Sequence, residues 1–448
     1  MLSGVKSTKS FRWLIIISLF VTQLDSGIIS TNLSSMTREL MLSAMQKGWV
    51  VSIYTIGLLL ATPIMGNLID RYGYRFVFLT ELAFYFVGVM GIALSQSFPV
   101  LLVSRLIQAF GSSSLLTLAI SLVFATHENK VGSKVGTVGV WVSLATIFAP
   151  LASVISLART HNWRSIYFVL ALLIFVLFIL GLWLMPKHQE GKVGSFDIKG
   201  NTVFAIGLVM FNLFLSVGIP RKSFLLSICL IVLSLLMLWF FIKIETKREN
   251  EQKHVLISKR LWSNQLYRKT LFNGMVTGLV MSLFTFFPSF IEASYHVNSR
   301  RAGSFLTLMA VGTLIGAKIG GFWTEKRGAL QASRGAMLCV AVSLILMFAS
   351  LNSFMLFLVA LILFGIAIGM VMSVTLQVMI VEISPDDRNV SLSLLSISKK
   401  MGMVLGITLV SLFAGFLDAT GIKAMLILLV VATLIGSIVL RKGVSKNV

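Results

Sequence analysis

Charged residues are scarce in this sequence. Only 12% of its 448 residues are charged and 57% are hydrophobic, whereas soluble domains carry about 25% charged residues. The mean hydropathy is +0.93. Stretches of about 20 apolar residues, the length that crosses a bilayer as a helix, recur from end to end. The composition excludes an ordinary soluble domain and predicts an all-α integral membrane protein.

Cysteine and histidine are also scarce, with two and five residues respectively. Both cysteines, Cys229 and Cys339, fall within apolar stretches, and the histidines are scattered in or beside loops. This spacing excludes zinc, haem and iron–sulfur sites. The phosphate-binding pattern G-x-x-x-x-G-K-[ST] is absent, so ATP is not expected as a ligand. We therefore predict a protein without metal or cofactor that is not an enzyme and takes its energy from a gradient.

The apolar stretches and the basic residues together predict a topology. Most of the 38 Lys and Arg residues fall in alternate connecting segments, and such segments lie in the cytoplasm. Both termini are then cytoplasmic, and the net charge of +22 requires no nucleic-acid partner. We predict fourteen spans, at residues 11–32, 48–68, 75–95, 98–125, 134–158, 165–185, 201–218, 223–243, 270–291, 302–323, 333–352, 354–381, 401–417 and 422–440.

Two basic segments, at residues 186–200 and 245–269, divide the spans into groups of six, two and six. The predicted domains are an N-terminal six-helix bundle, a central part with cytoplasmic linkers and two inserted helices, and a C-terminal six-helix bundle. Their bounds are 1–186, 187–269 and 270–448.

A short repeat supports this division. The segment from Gly66 to Gly73 follows the second span and the segment from Gly321 to Gly328 follows the tenth, with glycine, acid, base and glycine at matching places. Each segment follows the second helix of its six-helix group. Repeated halves of this kind are a known plan of transporters.

Several motifs of the N-terminal half carry a resemblance to a known family. Asp25 and Asn32 lie in the first span, and Trp163-Arg164 precedes the sixth. The loop after the second span and the fourth span contribute Gly66, Asp70, Arg71, Gly73, Arg75, Arg105, Gln108 and Gly111. These motifs resemble those of the fourteen-span drug/proton antiporters of the major facilitator superfamily.

The resemblance implies a proton-coupled exporter of small amphipathic or cationic drugs, acting as a monomer in the bacterial plasma membrane. A narrow-substrate exporter, tetracycline-like, or a monovalent cation/proton antiporter is the alternative. The family's glycine-rich antiporter motif in the fifth span is reduced here to Ala145, Ala149 and Pro150, with Ser153 where the family has glycine. Alanine still permits close helix approach and proline can kink the helix. The resemblance therefore supports transport more firmly than export.

Asp25 is the deepest acidic candidate for coupling. At about 1.5 Å per residue, it lies about 20 Å across the bilayer from one face, and Arg105 lies about 10 Å in from the other. The two reach similar depth, and charged residues in a bilayer tend to pair. We predict that Asp25 pairs with Arg105 and exchanges a proton; the alternative is a permanent pair that only fixes the first and fourth spans.

Glu81 is a second candidate for coupling. It is expected near the surface end of the third span, where it could reach water or pair with Arg75. Predicted substrate-binding residues are Asp25, Gln108, Phe284, Phe287 and Glu292, although such phenylalanines often belong to a core and Glu292 could simply face water. Gly66, Asp70, Arg71, Gly73 and Arg75 are interpreted as gating parts, with Asp70 capping the next helix and the glycines allowing a tight turn.

Overall fold

The structure is a computed structural model. It describes residues 9–116, 118–119, 131–185, 198–214, 224–251, 255, 262–295, 297, 302, 304–351, 353–381, 388–414 and 419–441.

The described residues are arranged in α-helices that overlap the predicted spans, and α3 alone runs through the second and third of them. Their bounds are α1 Lys9–Gln23, α2 Asp25–Glu39, α3 Ala44–Leu94, α4 Phe98–Phe110, α5 Val131–Thr160, α6 Ser165–Leu184, α7 Ile198–Leu213, α8 Phe224–Asn250, α9 Gln265–Met281, α10 Leu283–Tyr295, α11 Leu306–Arg327, α12 Ala329–Ala349, α13 Phe354–Val381, α14 Arg388–Ala414 and α15 Ala419–Arg441.

Within the described residues, nine helical stretches are long and apolar enough to cross a membrane. They include Ser10–Glu39, which joins α1 and α2 through Leu24, and Gln265–Pro288, which joins α9 to part of α10. Shorter apolar helices lie at Phe98–Phe110, Phe148–Thr160 and Thr202–Phe211. Many leucine, isoleucine and phenylalanine side chains on these helices are exposed, as lipid-facing surfaces require.

Residue contacts divide the chain into two compact units. The first comprises Met1–Asp25, Met36–Ala145 and Arg159–Ser258, and the second comprises Ser26–Ser35, Thr146–Ala158 and Lys259–Val448. Within the first unit α3 packs against α4 and α6, and α7 packs against α8. Within the second unit α9 packs against α14, while α13 packs against α11 and α12.

The predicted loop between spans two and three is a sharp break inside the single helix α3. Its residues up to Tyr72 are helical, and the break occurs at Gly73, with φ 79° and ψ 169°. The turn is therefore made by Gly73 and not also by Gly66, whose backbone is helical. Gly328, the matching glycine of the second repeat, has φ 78° and ψ 155°. The two repeats thus share a backbone conformation that is almost restricted to glycine.

Replacing Gly73 by alanine is expected to destabilise the protein by about 1–3 kcal/mol, because a Cβ is strained in this conformation. Gly321→Ala is the matched control, since Gly321 is helical and an added Cβ would meet nothing nearer than 3.7 Å. Thermal unfolding of the purified protein in detergent measures the difference. Equal melting temperatures for the two variants would show that the break does not depend on glycine.

The sequence pair Trp163-Arg164 fastens the turn before α6. The indole N–H of Trp163 donates to Oε2 of Glu39 at 2.5 Å, and Arg164 forms an ion pair with the same carboxylate. Arg164 also donates to the carbonyl of Ser95 at 2.7 Å, at the end of α3. One motif thus joins the ends of α2 and α3 to the start of α6.

Candidate functional site

Asp25 stands at the first residue of α2, directly after the interruption at Leu24. Its side chain is 1% exposed. Leu24 keeps helical dihedral angles, φ −61° and ψ −27°, so Asp25 lies within the continuous span Ser10–Glu39. Because desolvation of an unpaired charge is costly, a buried carboxylate at this position needs a cationic or hydrogen-bonding partner.

Arg105 and Gln108 on α4 supply these partners. Nη1 of Arg105 lies 2.9 Å from Oδ1 and 2.8 Å from Oδ2 of Asp25. Nε2 of Gln108 donates to Oδ1 of Asp25 at 2.9 Å, and its Oε1 accepts from Arg105 at 2.7 Å. The structure therefore contains the ion pair predicted from helix depth and adds Gln108 as a third member.

The guanidinium of Arg105 also contacts the first half of α3. Nε of Arg105 donates to the carbonyl of Val50 at 3.2 Å. Its Cζ lies 4.4 Å from the ring centre of Tyr54, a distance at which a cation is attracted to an aromatic face. Arg105, which is 1% exposed, is thus bound by an anion, an amide, a carbonyl and a ring.

Small residues allow α4 to approach the second half of α3 closely. A Cβ added at Gly88 would lie 2.4 Å from the amide nitrogen of Gln108, and one added at Gly111 would lie 2.1 Å from that of Tyr85. These distances are shorter than side chains permit, so the two backbones are in direct contact. This packing fixes the position along α3 at which Arg105 and Gln108 stand.

Glu81 is placed differently from the prediction. The sequence suggested a side chain near the surface or paired with Arg75, but Glu81 is 0% exposed and accepts hydrogen bonds from Ser113 and Ser114. The guanidinium of Arg75 instead donates to the carbonyls of Met185 and Leu182, at the end of α6. Hydropathy predicted how far along its helix Glu81 lies. It did not predict that Ser113 and Ser114 would bury the carboxylate.

The residues of the reduced antiporter motif lie against α2. A Cβ added at Gly27 would meet Ala149 at 2.6 Å and Pro150 at 2.8 Å. Further along this contact, Nδ2 of Asn32 donates to Oγ of Ser153 at 2.7 Å. Ser153 stands where the motif has glycine, which could not form this side-chain hydrogen bond. Ala145 is also fully buried.

The structure describes some of the predicted gating residues and places the predicted substrate residues Phe284, Phe287 and Glu292 in the second unit. Gly66 lies in helical backbone, and the side chains of Asp70 and Arg71 lie outside the described part of the structure. Gly73 forms the break in α3, and Arg75 donates to carbonyls at the end of α6. Phe284 and Phe287 are buried, and Phe287 packs edge-on against Phe364 at 5.6 Å. Glu292 is half-buried on α10. In this structure Phe287 packs with other aromatic residues of the second unit, Phe357 and Phe364.

Sequence reasoning missed three tyrosines around the ion pair. Tyr85 and Tyr167 are buried and Tyr54 is half-buried, and each interacts electrostatically with Asp25. Tyr85 donates to the carbonyl of Thr22 at 3.3 Å. The chain has only seven tyrosines, so this concentration is a feature of the site. The three tyrosines form no sequence motif because Tyr54 and Tyr85 lie on opposite sides of the break in α3 and Tyr167 lies on α6.

The described residues contain no group of three or more His, Cys, Asp or Glu side chains able to hold a metal ion. The arrangement around Asp25 instead offers one ionisable carboxylate, a fixed cation and an amide. Protonation of this carboxylate would remove half of the ion pair and weaken the hydrogen bonds that hold α4 to α2, since charge-assisted bonds are about twice as strong as neutral ones. The geometry suits a proton-dependent contact between helices.

Comparison with known proteins places this geometry in a family. The family model described as Major Facilitator Superfamily matches residues 15–200, 200–399 and 270–445. The chain is 28% identical over 435 residues to the "Uncharacterized MFS-type transporter YfiU" of Bacillus subtilis, covering 94% of this chain and 82% of that protein. It is 24% identical over 420 residues to "Multidrug resistance protein 3" of the same organism, covering 90% and 79% respectively.

A solved structure shows the same fold. The crystal structure of a variant of the nucleoside transporter NupG has a TM-score of 0.68 to this chain and 14% sequence identity. The match covers 97% of this chain and 100% of the NupG chain. Family model, relatives and fold agree over nearly the whole length, and the chain therefore belongs to the Major Facilitator Superfamily of multi-pass membrane transporters.

Proposed function

We propose that this chain is a proton-coupled antiporter that exports small amphipathic or cationic drugs by alternating access. The observation that carries the proposal is the buried Asp25 carboxylate, held at 2.8 Å by Arg105 and at 2.9 Å by Gln108. A relative over 90% of this chain has the name Multidrug resistance protein 3, which supports drugs as the substrate class.

The proposed exchange is based on competition for one carboxylate. Ionised Asp25 attracts either a proton or the positive group of a substrate, and only one of the two charges can be compensated at a time. Binding of the proton weakens the hold of Arg105 and Gln108 on Asp25, which permits the conformation that releases substrate. Return of the proton to the other aqueous side restores the ion pair and completes the cycle.

The remaining architecture is proposed to follow the family. The fourteen spans comprise six-helix bundles at 1–186 and 270–448 with two inserted helices between them, and both termini face the cytoplasm of a bacterial cell. The protein acts as a monomer. Gly66, Asp70, Arg71, Gly73 and Arg75 serve in gating, and Ala145, Ala149 and Pro150 provide the close helix contact of the antiporter motif. Phe284, Phe287 and Glu292 contribute to substrate binding.

The test is export of ethidium from cells or inverted vesicles that contain the protein. We expect efflux that stops when a protonophore is added. Exchange of one proton for monovalent ethidium is electroneutral, so a pH difference of one unit supplies about 1.4 kcal/mol. Vesicles without the protein are the control. Efflux that persists with the protonophore would contradict proton coupling, and export of a single chemical class from a panel of dyes and antibiotics would contradict a multidrug range.

A further inference from the structure

The predicted fourth span, residues 98–125, is interrupted next to Glu81 in the first unit. α4 ends at Phe110, and residues 111–114 form turns before helical residues resume at Leu115. The interruption consists of one glycine and three serines, residue types with low helix propensity whose hydroxyls compete for backbone groups. Leu118 donates to the carbonyl of Ser114 at 2.8 Å, so Ser114 stands in the first turn of the resumed helix.

The carboxylate of Glu81 binds this interruption. Its Oε1 accepts from the backbone N–H of Ser114 at 2.7 Å, and from the hydroxyls of Ser113 and Ser114 at 2.8 and 2.9 Å. The group is fully buried. Protonation of the carboxylate would weaken these bonds, because charge-assisted hydrogen bonds are about twice as strong as neutral ones.

The interruption is linked to the Asp25 site. Ser112 forms a hydrogen bond of 2.8 Å with the hydroxyl of Tyr54, and the ring of Tyr54 lies under the guanidinium of Arg105. Gln108 lies one turn before the interruption. The stretch from Arg105 to Ser114 is therefore attached to Asp25 at one end and to Glu81 at the other.

Among the described residues, ionisable groups on α3 and α4 lie between Glu81 and the Asp25 site. Tyr85 lies one turn further along the same helix, Tyr54 interacts with it electrostatically from the first half of α3, and Arg105 lies on α4. Asp25 lies beyond Arg105. Protonation of Glu81 would therefore change the charge of a region that Tyr54 links to the Asp25 site.

We propose that Glu81 is a second proton-binding site, and that its protonation releases the interruption of the fourth helix so that Arg105 and Gln108 can leave Asp25. The inference rests on the proposed antiport function and deepens it. Two protons then enter for each substrate molecule exported. Exchange of one proton for a monovalent cation is electroneutral, whereas exchange of two protons moves one net charge.

The test measures flux and charge separately on the purified protein reconstituted in liposomes, with ethidium as the probe. Flux is followed by ethidium fluorescence under an imposed pH gradient, and charge by the current on a supported membrane after an ethidium jump at equal pH. For the wild type we expect both signals. Glu81→Gln keeps an acceptor oxygen but cannot ionise, so we expect flux under a pH gradient with at least a tenfold smaller current.

Two controls separate coupling from structure. Glu251→Gln removes a carboxylate from an exposed position after α8, and both signals should remain. Glu81→Asp retains an ionisable group and should recover part of the current. The inference is overturned by wild-type flux without current, or by a wild-type current in Glu81→Gln. Absence of any flux driven by the pH gradient in the wild type would instead overturn the proposed function, and the second proton with it.

Discussion

Replacing Asp25 by asparagine is expected to abolish accumulation driven by the proton gradient. The energy available to one proton, about 3.7 kcal/mol at 100 mV and one pH unit, sustains a gradient of several hundred-fold for a neutral compound. Asparagine is nearly the same size and can still accept a hydrogen bond from Gln108, but it cannot take up and release a proton. The concentration ratio of exported compound across the membrane should therefore fall towards one.

The measurement is ethidium efflux with and without protonophore, at matched amounts of protein in the membrane. Asp25→Glu is the informative companion, because it retains the carboxylate while lengthening the side chain, and it should retain part of the protonophore-sensitive efflux. Glu251→Gln, at an exposed site, should behave as the wild type. Unchanged efflux in Asp25→Asn would show that the ion pair only fixes α2 against α4.

Replacing Arg105 by glutamine should cause the largest loss of stability. The carboxylate of Asp25 would stay buried without its cation, and removing one partner of a buried ion pair costs about 3–5 kcal/mol. The substitution also removes the hydrogen bond from Arg105 to the carbonyl of Val50 and the contact of the guanidinium with the ring of Tyr54. Thermal unfolding in detergent should show a large fall in melting temperature for Arg105→Gln.

The double variant Asp25→Asn with Arg105→Gln tests the cause of that loss. With both charges removed, no uncompensated ion remains, and most of the stability should return. Thermal unfolding reports stability and not transport, so the comparison concerns folding alone. If the double variant were as unstable as the two single losses added together, the destabilisation would come from packing around Arg105 and not from the charge of Asp25.

The pairing of Asp25 with Arg105 could be predicted because it depends on depth. Residue number converts to distance along a membrane helix at about 1.5 Å per residue, and an acid and a base at equal depth in a membrane have a strong reason to meet. The repeat of Gly73 and Gly328 could also be predicted, since it depends on local backbone conformation. The structure gives both glycines nearly the same φ.

The burial of Glu81 could not be predicted in the same way. Its depth was known, but the direction in which it points around the helix decides whether it reaches water, Arg75 or Ser114. In a soluble helix the apolar stripe shows the buried face. In a membrane helix the lipid-facing side is as apolar as the packed side, so the sequence carries little signal for direction.

The sequence by itself determined that this protein is an α-helical membrane protein and that Asp25 and Arg105 have reason to pair. Those properties follow from hydropathy, length and the cost of burying charge, which act along the chain. Tertiary structure alone decided that Gln108 and three tyrosines surround the ion pair, that Ser153 binds Asn32, and that Glu81 holds the interrupted fourth helix. Each of these contacts joins residues on different helices, and their formation depends on how closely glycines such as Gly88 and Gly111 let two backbones approach.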